Sequence, residues 1–170
     1  MDADFLMIYK MKNGDETAME QFIRKYYPSI RNYCRYHTYT DEIADDLTQE
    51  TFEHFFRSFN SYHHSGKLAN YLYVIAGNLC RDNYKKKQDV PLEELQDKGE
   101  NLIEAVESRM DMEGAIRKLP DEMKEVIILH YFQDLKLKEV ADIIGIGLPL
   151  VKYRLKRAKE LLKIYIGEVV

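Results

Sequence analysis

Apolar residues recur at three- and four-residue steps through most of the chain, the spacing of helices that bury one face. A short helix is predicted from Asp4 to Lys12, stopped at Asn13-Gly14, with Asp15 placed to cap the next one. That second helix carries Met19, Phe22, Ile23, Tyr26, Ile30 and Tyr33 as a single stripe, and Pro28 inside it predicts a kink. Thr40 or Asp41 caps a third helix running to about Phe59, with Ile43, Leu47, Phe52, Phe55, Phe56 and Phe59 as its apolar positions. So many phenylalanines in so short a stretch predict a buried helix in a compact bundle. A fourth helix begins after Ser65-Gly66, turns Leu68, Leu72, Ile75, Ala76 and Leu79 inward, and ends in Lys85-Lys86-Lys87.

The pattern then breaks. Between 88 and about 108, Asp89, Glu93, Glu94, Asp97, Glu100, Glu104 and Glu107 stand against Lys98, with Pro91 and Gly99 among them. This reads as a linker. If flexible, its ~20 residues reach roughly 25 Å between ends. It is either a solvated spacer or an acidic strand lying in a channel meant for nucleic acid. Helical periodicity resumes near Met110 and is interrupted at Leu119-Pro120. It continues through Val126, Ile127 and Leu129 to Tyr131, then from Leu137 to Ile144, and after Gly145-Ile146-Gly147 from Pro149 to about Ile166. No strand-like alternation of useful length competes. The expected fold is all-α: an N-terminal helical bundle over 1–87, an acidic linker over 88–109 and a C-terminal helix-turn-helix domain over 110–170.

Composition narrows the class. Hydrophobic residues make up 45% of the 170 and charged residues 32%, which is globular rather than disordered. A net charge of −4 argues against a protein that merely coats DNA, but local patches decide nucleic-acid binding more than the sum does. Cys34 and Cys80 are far apart and form no C-x-x-C, so a disulfide framework is not expected and a reduced, cytoplasmic location fits. No apolar run approaches the ~20 residues that span a membrane, and no charged-then-apolar leader opens the chain. Gly-rich phosphate loops, a nucleophile elbow and H-E-x-x-H are all missing, so neither enzyme activity nor a cofactor is expected.

Three clusters carry candidate chemistry. Residues 137–158 pair two short amphipathic segments across a glycine-containing turn, as a helix-turn-helix requires. Ala141 is small where the helices cross, Gly145 permits the turn, and Val151, Leu155, Ala158 and Leu162 face inward. The other faces carry Lys152, Tyr153, Arg154, Lys156, Arg157, Lys159 and Lys163, with cations suited to phosphates and major-groove edges, or to an ordinary solvated face. On the third helix Asp46, Gln49, Glu50 and Glu53 fall at i, i+3, i+4 and i+7, and Glu42 extends that face. This is a solvated surface or a protein-docking face. His54 is the helix's one histidine, with no second at ligand spacing, so metal binding is not supported. Finally, Asn70, Tyr71, Tyr73, Asn78, Arg81, Asn83, Tyr84 and Lys85 to Lys87 mix aromatics, amides and cations along the fourth helix. Aromatics stack on unpaired bases and cations hold a single strand's backbone. The alternative is half-buried core tyrosines with a lysine cluster complementing the helix dipole.

In this order the three clusters resemble the sigma-70 family, in its small extracytoplasmic-function branch, over nearly the whole chain. Ala44-Asp45-Asp46-Leu47-Thr48-Gln49-Glu50-Thr51-Phe52 is similar to the D-L-x-Q-E-x-F segment that docks on the polymerase β′ clamp. Asn70 to Asn78, followed by Arg81-Asp82, resembles the segment that melts and reads the −10 promoter element. Leu119-Pro120 through Leu129 resembles the start of the C-terminal domain, and Val151 to Lys159 resembles the V-K-S-R-L-x-R-A-R helix that reads the −35 element. The resemblance implies a sigma region 2 holding polymerase through Asp46, Gln49, Glu50 and Glu53. Asn70, Tyr71, Asn78, Arg81, Lys85 and Lys86 would engage the −10 element. A sigma region 4 would place Lys152, Tyr153, Arg154, Lys156 and Arg157 on the −35 element. It further implies RNA polymerase core (β′ clamp and β flap) and promoter DNA as partners, an anti-sigma factor that sequesters the protein, and no small-molecule substrate.

The chain departs from the family pattern in places. Tyr71 stands where tryptophan is usual, Gly77 where arginine is common, Leu148-Pro149-Leu150 where a polar start is usual, and Tyr153 where serine is usual. These changes bear on promoter sequence and affinity more than on the class of function. A competing reading is a stand-alone helix-turn-helix regulator that binds duplex DNA without polymerase and uses the acidic helix as a surface or dimer face. Co-purification with core polymerase separates the two.

Overall fold

The computed structural model describes residues 2–38, 40–88 and 112–167. The acidic linker expected over 88–109 lies almost wholly outside them. Contacts divide the chain into two units, Met1–Arg81 and Asp82–Val170.

In the first unit, α1 (Ala3–Lys12) is capped by Asp2, whose carboxylate accepts from the Phe5 N–H at 2.7 Å. Gly14, at φ +83°, reverses the chain. Asp15 then caps α2 (Glu16–Tyr36) by accepting from the Ala18 N–H at 3.2 Å. The helix continues through Pro28. Thr40 caps α3 (Asp41–Arg57), and its hydroxyl accepts from the Ile43 N–H at 3.2 Å. That helix stops two residues earlier than the phenylalanine pattern predicts. A single 3₁₀ turn, Phe59–Ser61, carries the last ring inward instead. α4 (Leu68–Gln88) follows, and the division between the units falls within it.

The core of this unit is aromatic. Phe22 and Phe55 stack with centroids 4.8 Å apart, and Phe52 and Phe56 meet Phe22 edge-on at 5.6 and 5.8 Å. Phe22 and Phe55 are fully buried, as are Leu68, Leu72 and Ala76 of α4. Each such ring stabilises the unit by about 2 kcal/mol through area removed from water. Ile23, expected on the buried stripe, is 38% exposed. The α2 stripe is wider than the face its neighbours cover. Gly77 has a packing reason: a Cβ there would stand 3.0 Å from the hydroxyl of Tyr33, itself fully buried on α2.

The second unit contains α5 (Met112–Lys118), α6 (Asp121–Ile127), α7 (Leu137–Ile144) and α8 (Leu148–Tyr165). Leu119-Pro120 separates α5 from α6, as the break predicts. α6 runs into one π-helical turn, Ile128–Phe132, where the Gln133 N–H reaches the Ile128 carbonyl at 3.1 Å. The widened turn buries Ile128 and Leu129 while leaving Tyr131 half exposed. The Glu139 carboxylate caps α7 by accepting from the Lys136 N–H at 2.9 Å. Gly145, at φ +81°, ends α7. Only glycine adopts that left-handed turn without strain. Gly147 and Pro149 begin α8. Val140, Ala141, Val151, Leu155, Ala158 and Leu162 are buried, which makes α7 and α8 a helix-turn-helix about one shared core. Every described regular element is helical.

Candidate functional site

The acids of α3 fall into two sets. Asp45 and Asp41 pair with Arg31 and Arg35 of α2, each at 2.5 Å. The carboxylate beside it holds the Arg31 guanidinium above its ordinary pKa through hydrogen bonding. Asp46, Gln49 and Glu53 face solvent, and Glu50 is partly covered. Asp46 and Gln49 carry no side-chain hydrogen bond or ion pair among the described residues. Glu50 meets His54 at 3.9 Å and Glu53 meets Arg57 at 3.9 Å, both weak contacts along the helix. Beside this ridge lies an open hollow of about 670 Å³ lined by Ile23, Tyr27, Phe52 and Phe56 together with Gln49, Glu53 and Arg57. The sequence pattern points to the ridge but not to the hollow, because the hollow needs α2 and α3 side by side. The arrangement is a net-negative ridge of Asp46, Glu50 and Glu53 beside a mainly apolar hollow, which suits a protein partner with cationic and apolar side chains. Among the described residues, no group of three or more histidines, cysteines or acids can hold a metal ion.

The α4 candidates separate by burial. Asn78, Arg81, Lys85 and Lys86 are exposed, and Arg81 donates to the Asn78 Oδ1 at 2.6 Å. Asn70 is partly buried. Tyr71 is half-buried in an aromatic group, with its ring 5.2 Å from Tyr62 and 6.0 Å from Phe55 and its hydroxyl 3.2 Å from the Ser58 hydroxyl. Tyr73 is buried, and burial pushes its hydroxyl up to about 12. The exposed amide and cations therefore lie beyond an aromatic end where Tyr71 begins.

On α8, Lys152, Tyr153, Lys156 and Arg157 are exposed, opposite the stripe of Val151, Leu155 and Ala158. Arg157 pairs with Glu160 one turn on at 2.6 Å. Arg154 differs, with a side chain only 16% exposed that turns toward Glu122 of α6 at 3.6 Å. The 3.6-residue period puts Arg154 near the edge of the outward face. Only the packing of α6 against α8 shows which way it turns.

No helix among the described residues is long and apolar enough to cross a membrane. Residues 22–90 match the family model of Sigma-70 region 2, and residues 109–162 match that of Sigma-70, region 4. The ECF RNA polymerase sigma factor SigW of Bacillus subtilis is 27% identical over 173 residues, covering 92% of this chain and 92% of its own. The RNA polymerase sigma factor YlaC of the same organism is 29% identical over 163 residues, covering 90% and 93%. Among solved structures, CnrH in complex with the cytosolic domain of CnrY matches with a TM-score of 0.77 at 19% identity, over 99% of this chain and 100% of that one. RpoE from Bartonella quintana, solved with the anti-sigma factor NepR, matches with a TM-score of 0.65 at 18% identity, over 88% and 96%. A stand-alone helix-turn-helix regulator leaves the region 2 match of the N-terminal half without explanation. The chain belongs to the sigma-70 family of RNA polymerase sigma factors, in its extracytoplasmic-function branch, and is a factor that directs polymerase to promoters.

Proposed function

We propose that Asp46, Gln49, Glu50 and Glu53 grip the β′ clamp of polymerase core, with an apolar side chain of the clamp seated in the hollow beside them. The observation that carries this reading is the partition on α3: two acids are paired with arginines of α2, while Asp46 and Gln49 have no side-chain partner among the described residues. Asn70, Tyr71, Asn78, Arg81, Lys85 and Lys86 hold the −10 element, together with the loop before α4. An unpaired base is stacked against aromatics and its strand is held by cations. Extruding a base costs a few kcal/mol, which stacking and phosphate contacts offset. Lys152, Tyr153, Lys156 and Arg157, with Arg154 at their edge, meet duplex DNA at the −35 element.

Residues 1–87 and 110–170 then act as separate modules joined by 88–109, and each binds weakly alone. Joined on one polymerase they bind at high effective concentration. This agrees with a net charge of −4, since the free chain has little attraction for DNA until polymerase contributes its own positive surface. The chain works as a transcription initiation factor in the cytoplasm, catalysing no reaction itself. The β flap meets its C-terminal half. An anti-sigma protein binds it and holds it in reserve; the RpoE of Bartonella quintana is solved in complex with one, NepR. The decisive experiment is transcription from a promoter library by core polymerase with and without this chain. Enrichment of templates sharing spaced −10 and −35 elements is expected. A library transcribed identically in both cases would remove the reading.

A further inference from the structure

The segment between α3 and α4 is tied to α1 at both ends of that helix. At its C-terminal end, the Lys12 ammonium donates to the Tyr62 carbonyl at 2.6 Å and lies 5.9 Å from the centre of the Phe59 ring. At its N-terminal end, His64 Nε2 lies 3.1 Å from both carboxylate oxygens of Asp2. The same carboxylate caps α1 through the Phe5 N–H. These contacts, that of Phe5 first and that of His64 next, hold the Asp2 carboxyl below its ordinary range. The imidazole is engaged on its other side as well, with Nδ1 3.2 Å from the Tyr62 hydroxyl and the side chain only 6% exposed. Tyr62 in turn packs on Tyr71 in the first turn of α4. A continuous series of contacts therefore runs from Asp2 through His64 and Tyr62 to Tyr71.

We propose that α1 is a strap and the Asp2–His64 pair its latch, setting the position of residues 62–67 and of Tyr71 for capture of an unpaired promoter base. The proposal rests on the −10 reading above. Asp2 and His64 are positioning residues that act through Tyr62 and Tyr71. The physical reason is pre-organisation. The segment contains Gly66 at φ +82° and has little regular structure, so ordering it only when DNA arrives would cost conformational entropy. Contacts to α1 order it beforehand.

The test uses holoenzyme formed from core polymerase and the full chain, with binding normalised to the amount of chain captured by core. Forked DNA duplexes differing at one unpaired position of the −10 region are the probe, and the readout is the ratio of affinities for the best and worst base. His64→Ala removes the imidazole. Asp2→Ser keeps an N-cap but is too short to reach His64. Each is expected to lower the base ratio about three- to fivefold, with the double variant no worse than either single one. His64→Gln, whose amide still donates, is expected to recover most of the loss. Unchanged ratios in both single variants, or losses that multiply in the double variant, would overturn the latch while leaving the −10 reading in place. A wild-type holoenzyme with no base preference would overturn that reading and the latch with it.

Discussion

Arg154 of α8 reaches Glu122 of α6 at 3.6 Å, with 16% of the arginine side chain exposed against 72% of the glutamate's. Cations on this helix that look alike in sequence are therefore committed to different work. Truncating Arg154 removes a packed stem and an ion pair. Arg154→Ala is expected to cost the C-terminal unit about 1 kcal/mol, or roughly 4–8 °C in melting midpoint. Lys152→Ala, on an exposed residue, is expected to leave the midpoint within about a degree. Thermal melts of both variants check the contrast.

Exposed cations on α8 should reveal themselves through salt. Lys152→Ala and Arg157→Ala are each expected to weaken promoter binding and reduce the slope of log affinity against log salt by about one. Glu160→Gln releases Arg157 from its pair and is expected to strengthen binding, the opposite sign from the other two. Titrations of holoenzyme with promoter DNA at several salt concentrations decide the matter, and an unaltered slope in Lys152→Ala would remove that side chain from the interface.

Neighbouring acids of α3 should behave differently. Asp46→Lys and Glu50→Lys reverse charge on the outward ridge and are expected to abolish capture of core polymerase with helix content intact. Asp45→Lys breaks the pair with Arg31 of α2 and sets two cations against each other, so it is expected to lower thermal stability. Pulldown with core and circular dichroism on the same samples separate the two classes. Full capture by Asp46→Lys would end the docking role.

Gly77 invites a stabilising substitution that should fail. Alanine is favoured over glycine inside a helix by about 1 kcal/mol. Here its Cβ would meet the Tyr33 hydroxyl at 3.0 Å, and Tyr33 is fully buried and has little room to yield. Gly77→Ala is expected to be neutral or destabilising. Gly77→Ala,Tyr33→Phe removes the obstructing oxygen and is expected to recover stability relative to the single variant, as chemical denaturation would report.

One buried and one half-buried tyrosine make the N-terminal unit sensitive to alkali. Burial raises the hydroxyls of Tyr62 and Tyr73 to about 12. A raised folded-state value means that the stability from keeping the phenol neutral is fully present below the ordinary value near 10 and is lost as pH rises toward about 12. Unfolding is therefore expected within that window, accompanied by a cooperative rise in phenolate absorbance. Tyr73→Phe is expected to shift the transition to higher pH. Titration at independent, ordinary values without unfolding would contradict the burial.

Much of the architecture can be read from the chain because its signals are local. Asp15 and Thr40 as caps, Asn13-Gly14 and Gly145 as stops, Leu119-Pro120 as a break and the Val151, Leu155, Ala158, Leu162 stripe each depend on residues within a few positions of one another. Helix geometry converts such spacing directly into caps and faces. The same logic marks the α3 ridge and the α8 cations as candidates. It does not apportion them. Whether Asp45 or Asp46 is neutralised depends on Arg31 of α2, the direction of Arg154 depends on Glu122 of α6, and Asp2 meets a histidine 62 positions away. Ile23 fits an inward stripe yet lines a hollow, since the width of the covered face is set by the neighbouring helix. By itself the sequence determined where most of the helices lie, several of their caps and stops, most of their inward positions and the kind of side chain each outward face presents. Tertiary structure alone decided which of those polar groups satisfy one another, because packing brings together residues whose separation along the chain carries no periodic signal.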